Sequence, residues 1–189
     1  MGMRDLSAGL IGLRDIELLY REFFKDQSGL GIFQEQISNG ENLWDRNNWN
    51  GHLTASAIVL NDGFNQCLVM HHRKLGIELV PGGHCDPFEH PAESAKRELA
   101  EETGLQDALI HHWHSVRKCP IDIDTHPIPS NLIKQEPPHF HHDFRYIFVV
   151  GPDCELTLNQ SEGSWLGWKE VSVLDELYPR VYERIRRYL

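Results

Sequence analysis

The chain has 189 residues, 40% of them hydrophobic, which suits one ordinary globular domain plus an extension. Its 28 acidic residues outnumber 18 basic ones, and the formal net charge of −10 argues against gripping a nucleic-acid polymer through its phosphates. No apolar run approaches a membrane span, and the apolar stretch near the start is short and broken by Arg14 and Asp15, so neither a membrane partner nor a signal peptide is expected and a cytoplasmic location is the default.

Residues 1–50 differ in pattern from the rest. Leu10, Leu13, Glu17, Leu18, Tyr20 and Phe24 follow helical spacing with one apolar face, and a weaker helix surrounds Phe33 and Ile37. Residues 42–51, NLWDRNNWNG, read as a polar loop. The expectation is a helical N-terminal extension over residues 1–50 and a main domain over 51–189. The extension could pad the core, support a dimer or cover a pocket, and its sequence does not choose.

From His52 the pattern changes to strands. Residues 53–60 and 67–72 flank the turn Asn61-Asp62-Gly63 and predict a hairpin. The segment from Trp113 to Ile123 and residues 143–150 read as further strands. Leu174, Leu177, Val181, Ile185 and Leu189 predict one closing amphipathic helix. Strands with a helix in their midst and another at the end imply α+β or α/β layers. The four cysteines form no CxxC pair; Cys67 and Cys154 read as small apolar fillers, and Cys85 falls in the most informative stretch of the chain.

That stretch is GHCDPFEHPAESAKRELAEETGL, residues 83–105. Pro91 suits a first helical turn, residues 92–102 are good helix formers, and Gly104 can end the helix in a left-handed conformation. Glu98, Glu101 and Glu102 then share one face beside an apolar stripe of Ala95 and Leu99. Three carboxylates near a helix C-terminus repel one another and oppose the macrodipole. A divalent cation would relieve both, and Mg²⁺ favours hard oxygen ligands. Upstream, Leu79-Val80 ends a short strand and Pro81-Gly82-Gly83 forms a tight turn whose glycines permit close backbone approach.

Written as a pattern, these residues are G-x5-E-x7-R-E-U-x-E-E-x-G-U, with U a bulky aliphatic residue. The match resembles the signature of the Nudix hydrolases at every defined position, and chance agreement in a chain of this length is on the order of 10⁻⁷ or less. The resemblance implies an α/β/α sandwich with a mixed β-sheet. It implies that Glu98, Glu101 and Glu102 hold Mg²⁺ or Mn²⁺ and orient or deprotonate a water, that the Gly83 carbonyl joins the metal, and that Glu89 and Arg97 brace loop against helix. Many family members carry a further catalytic or metal-binding glutamate about six residues before a strand tryptophan, which here points to Glu162 ahead of Trp168; the alternative for Glu162 is a solvent-exposed turn residue in Ser161-Glu162-Gly163-Ser164. Family members are often dimers, so a homodimer is an expectation of the same kind.

Twelve histidines are unusual. They gather at His111-His112-x-His114, at Asp122-Ile-Asp-x-His126, and at His139-Phe-His141-His142-Asp143. Strand alternation puts His139, His141, Asp143 and Arg145 on one face and Phe144, Tyr146 and Phe148 on the other. The polar face could meet solvent, could meet substrate phosphate through His141 and Arg145, or could hold a separate metal such as Zn²⁺. His84 and His126 are further candidates for substrate binding. If Arg145 meets phosphate, Arg145→Ala raises KM more than it lowers stability. The pattern His52-Leu-Thr-Ala-Ser, Pro81-Gly-Gly-His84, Asp122-Ile-Asp-x-His126 and His141-His-Asp-x-Arg145 is similar to a bacterial Nudix subgroup without a well-defined substrate.

The expected function is metal-dependent hydrolysis of a nucleoside diphosphate linked to another moiety, or of a related organic pyrophosphate. The alternative is a nucleotide sensor on the same fold without turnover. Every signature carboxylate is present, which favours the enzyme.

Overall fold

The computed structural model describes residues 12–25 and 29–189. The chain opens with helix α1 (Leu13–Phe24) and α2 (Gly31–Ser38). Strands β1 (His52–Asn61), β2 (Gln66–His72), β3 (Ile77–Leu79) and β4 (Gly82–His84) follow, then α3 (Pro91–Thr103). Next come β5 (Leu109–Ile110), α4 (His112–Arg117), β6 (Asp122–Ile128), β7 (His139–Val150) and β8 (Gly163–Glu170), and finally α5 (Val173–Leu177) and α6 (Pro179–Tyr188).

The strands form one eight-stranded mixed sheet with helices packed on it. Its spine is β1 beside β7, parallel and in register from His52↔His141 to Asn61↔Val150. The other pairings are antiparallel: β2, β4 and β1 on one side, and β5, β6 and β7 on the other, with β8 and β3 on β2. Ala57, Ile58, Val59, Leu60, Phe144, Ile147 and Phe148 are fully or almost fully buried in this spine. The β1–β2 hairpin forms because the Asn61 side chain accepts the N–H groups of Asn65 and Gln66.

Helix α3 follows its local chemistry. Pro91 occupies the first turn, the His90 ring nitrogen accepts the Ala92 N–H, and Gly104 closes the helix at φ +77°. Ala95 and Leu99 are fully buried, and Leu105 packs below them.

The N-terminal helices share one core with the strands: Leu13, Ile16, Tyr20, Leu30, Phe33 and Leu43 all join it. Padding the core is therefore one role of this region. Leu18, expected on the apolar face of α1, is exposed, while Glu17 is buried between Arg21 and Gln34; Leu10 lies outside the described residues.

Two sequence expectations need correction. Residues 112–117 are a helix and not a strand. His111 caps it by accepting the Trp113 N–H, and burying Trp113 against Phe23 and Phe24 outweighs its β propensity. The strand begins only at Asp122. The closing helix is in fact two, because Pro179 disfavours a helical Tyr178. Tyr178 turns inward instead, and its hydroxyl accepts the Val80 N–H. No helix among the described residues is long and apolar enough to cross a membrane.

Candidate active site

Three elements bring the carboxylates together. Helix α3 supplies Glu98, Glu101 and Glu102, β4 supplies Gly83, and the loop before β8 supplies Glu162. Sheet and helix meet because Gly83 has no side chain: a β-carbon there would lie 2.5 Å from the Glu98 carboxyl carbon. The neighbouring Gly82 N–H donates to the Glu102 carboxylate at 3.0 Å.

Arg97 ties the loop to the helix. Its guanidinium donates to the His84 carbonyl at 2.9 Å, to Glu89 at 3.2 Å and to Glu98 at 2.7 Å. Ser94 adds a bond to the same Glu89 oxygen. Against the opposing effect of partial burial, Ser94 and Arg97 hold the Glu89 carboxyl below its ordinary value. Arg97 and Glu89 thus stand as struts beneath the loop.

Glu162 reaches the cluster through a loop clamped on both sides. Asn159 and Thr157 donate backbone N–H groups to the carbonyls of Glu102 and Thr103, satisfying the open end of α3. Arg73 donates to the carbonyls of Gln160 and Gly163. The Glu162 carboxylate lies 3.3 Å from Lys74 and 3.9 Å from the His72 ring.

The electrostatics single out Glu102. It is 6% exposed, and burial first, then Glu98, Glu162 and Glu101, push its carboxyl up to about 8. Burial also raises Glu98, although Arg97 opposes the shift. Glu101 is the exposed member of the trio. A buried carboxylate with one backbone N–H and three acidic neighbours fits a divalent cation, whose charge would offset the repulsion.

The loop also walls a cleft of about 310 Å³, lined by Trp44, Asp45 and Arg46 from the N-terminal region and by His84, Asp86 and Phe88. Trp44 donates its indole N–H to the Glu89 carbonyl and packs its ring against Phe88. The N-terminal region therefore borders the signature loop as well as padding the core. Cys85, inside that loop, is buried and its thiol is pushed up to about 12 by that burial, which makes it a filler and not a nucleophile.

Residues 51–188 match the family profile described as "NUDIX domain". The chain belongs to the Nudix family. A relative in Lactococcus lactis subsp. cremoris (strain MG1363) bears the name "Probable DHNTP pyrophosphohydrolase"; it is 31% identical over 119 residues, which is 63% of this chain and 66% of that protein. The chain thus aligns with somewhat under two thirds of that relative's length. Among solved structures, a C. elegans Ap4A hydrolase in a binary complex superposes with a TM-score of 0.54 at 14% identity, covering 72% of this chain and 96% of the other. The E. coli dihydroneopterin triphosphate pyrophosphohydrolase gives 0.54 at 12% identity, over 72% and 93%. At such identities the likeness is one of fold, and it agrees with the mixed sheet and its flanking helices.

The second group of candidates gathers at the end of β4, and His84 is common to it and to the cleft. His84 and His141 meet His52 in one cluster, with His139 and His126 beside them. Burial lowers all three of the central rings, His84 to about 4 and His52 and His141 also below their ordinary value.

Arg145 differs from expectation. It is 8% exposed, and Nε donates to Asp143, Nη1 to Asp122 and Nη2 to Asp124, all within 3.0 Å. The Tyr178 ring stacks on its guanidinium at 4.7 Å. Its donors are spent on carboxylates, so it holds strands together and does not face phosphate. The polar face of β7 is buried in this network, not turned to solvent. His52 and His139 are the residues that sequence reasoning left out of the site. Alternation along β7 had put His139 on the polar face, but what brings His52 to it is the parallel register that pairs His52 with His141, 89 positions on.

Proposed function

We propose that this protein is a metal-dependent hydrolase of a nucleoside diphosphate linked to another moiety, or of a related organic pyrophosphate, by attack of water on phosphorus. The observation that carries this reading is Glu102, a buried carboxylate raised to about 8 amid three other glutamates and beneath a glycine turn.

Glu98, Glu101, Glu102 and the Gly83 carbonyl would hold Mg²⁺ or Mn²⁺. Such an ion supplies charge neutralisation for the phosphate oxygens and a more acidic bound water. Glu102 and Glu98 would orient the attacking water, and Glu162 would take its proton. Arg97 keeps Glu98 in place by a bond along its carboxylate edge. The 310 Å³ cleft beside the loop offers Trp44 and Phe88 to a flat organic group and Arg46 to anionic oxygens. Phosphoryl transfer depends mainly on positioning and charge stabilisation, which is what a site of carboxylates without a side-chain nucleophile provides.

The test is Mg²⁺- and Mn²⁺-dependent phosphate release from nucleotide sugars, dinucleoside polyphosphates, ADP-ribose, nucleoside triphosphates and reduced dinucleotides, with Glu102→Gln run alongside. Cleavage by wild type that falls by orders of magnitude in the variant supports the reading. Thermal stabilisation by one compound without any turnover replaces it with a sensor.

A further inference from the structure

The histidine cluster lies apart from the carboxylates and does not depend on the hydrolytic reading. His52 stands at the start of β1, His84 at the end of β4 and His141 near the start of β7, so three strands deliver one ring each to the same place. One ring nitrogen from each lies within 4.8 Å of the other two. A tetrahedral zinc site with Zn–N bonds of ~2.0–2.1 Å has nitrogens about 3.4 Å apart, so modest side-chain rotation closes the trio. The His139 Nε2 already lies 3.3 Å from the His141 Nε2, at that edge length.

Hydrogen bonding sets which nitrogen His52, His139 and His126 present. His52 Nδ1 contacts the Asn48 carbonyl at 3.4 Å, and His139 Nδ1 contacts the Pro137 carbonyl at 2.8 Å. A carbonyl only accepts, so both Nδ1 atoms carry the proton and both Nε2 atoms carry a lone pair. His126 is fixed in the same way by the Asp124 carboxylate at 3.1 Å. A carbonyl or carboxylate behind the distal nitrogen is the outer arrangement found around metal-bound histidines. The His52 Nε2 is the decisive atom. Its residue is 2% exposed, and this nitrogen has no hydrogen-bond partner. A buried acceptor without a donor is costly unless something else fills the role.

We propose that His52, His84 and His141 form a binding site for a Zn²⁺-class transition-metal ion, with His139 or His126 as a fourth ligand. Three imidazole nitrogens that converge on one point suit a metal cation. Nitrogen ligands without a carboxylate in the trio favour zinc or a similar borderline ion over Mg²⁺. The ion would knit β1, β4 and β7 at one end. Residues alternate along β4, so His84 points away from the face where Gly83 meets Glu98. The site therefore stabilises the strand that carries the catalytic turn from its opposite face.

The experiment uses full-length, tag-free protein stripped with chelator and held in excess Mg²⁺. Co²⁺ and then Zn²⁺ are titrated in, read by visible absorption and by melting temperature. One equivalent of Co²⁺ should give the intense bands of a tetrahedral site, Zn²⁺ should displace it, and the melting temperature should rise. X-ray absorption on zinc-loaded wild type should show imidazole ligands at ~2.0–2.1 Å. His84→Asn and His141→Asn should each weaken zinc binding by about 100-fold or more, while the Glu98→Gln, Glu102→Gln double variant keeps it. An oxygen-dominated shell in wild type overturns the proposal, as does absence of stoichiometric uptake. So does binding that survives the histidine changes and vanishes with the glutamates. Should a histidine variant not fold, the wild-type absorption spectrum decides.

Discussion

Gly83 and Glu98 touch: the α-carbon of one faces the carboxylate of the other so closely that no side chain fits between them. Gly82, one residue earlier, is tight for a different reason. A β-carbon there would lie 2.6 Å from the Ala55 carbonyl oxygen and 2.9 Å from the Ser56 α-carbon, which are backbone atoms that cannot swing aside.

The two glycines should therefore fail differently. In Gly83→Ala the flexible Glu98 end moves, so the melting temperature stays within a few degrees while kcat/KM falls by ~10²-fold through misplacement. In Gly82→Ala the strand pair must shift, at a cost of ~1–3 kcal/mol in stability. Thermal melts and steady-state kinetics on both variants check this. A large melting shift in Gly83→Ala with normal turnover would reverse the assignment.

Arg145→Ala should be a stability mutation. It takes one cation from Asp122, Asp124 and Asp143, leaving Asp122 to Arg180, Arg184 and Tyr20, Asp124 to Arg180 and His126, and the nearly buried Asp143 only to the Thr54 and Ser56 hydroxyls. Asp143 loses its cation, and an uncompensated buried charge costs up to ~3–5 kcal/mol. Denaturant unfolding should show that loss, with KM of the folded fraction unchanged. A raised KM at unchanged stability would restore the phosphate role.

Below neutral pH, His114 should be a weak point. It is 5% exposed, its Nδ1 donates to the Cys119 carbonyl, and its Nε2 accepts the Ile147 N–H. Burial lowers its pKa to about 4 from an unfolded value near 6.5. The unfolded chain therefore binds the extra proton between pH 6.5 and 4, so stability falls as pH drops through that window. The loss is ~3 kcal/mol by pH 4. Comparing the pH slope of unfolding free energy in wild type and His114→Gln measures it. An identical slope in both would exclude His114 as the cause.

Glu162→Gln distinguishes a base from a turn residue. A general base is worth ~10²–10⁴-fold, so kcat should drop by at least ~10²-fold with the loop intact. A change under about threefold would leave the Glu162 carboxylate only its contacts to Lys74 and His72.

The signature stretch declared itself in sequence because its chemistry is local. A proline at the start, a glycine at the end and three glutamates on one helical turn all lie within 23 residues, and α3 forms where the spacing puts it. The β1–β2 hairpin was legible for the same reason, with its turn residues between two apolar runs. Trp113 misled, since β propensity reflects packing and the packing partners Phe23 and Phe24 come from the far end of the chain.

Sequence alone determined the family, the mixed α/β class and the glutamates that crowd one helix face. Only the tertiary structure decided what Arg145 and the histidines meet. Alternation correctly put His141 and Arg145 on one face of β7. It could not say that Asp122 and Asp124 would arrive on β6 to occupy Arg145, or that His52 and His84 would arrive on β1 and β4 beside His141. Periodicity fixes which way a side chain points along its own strand, whereas the charge and the lone pairs it meets belong to strands paired with it across long stretches of chain.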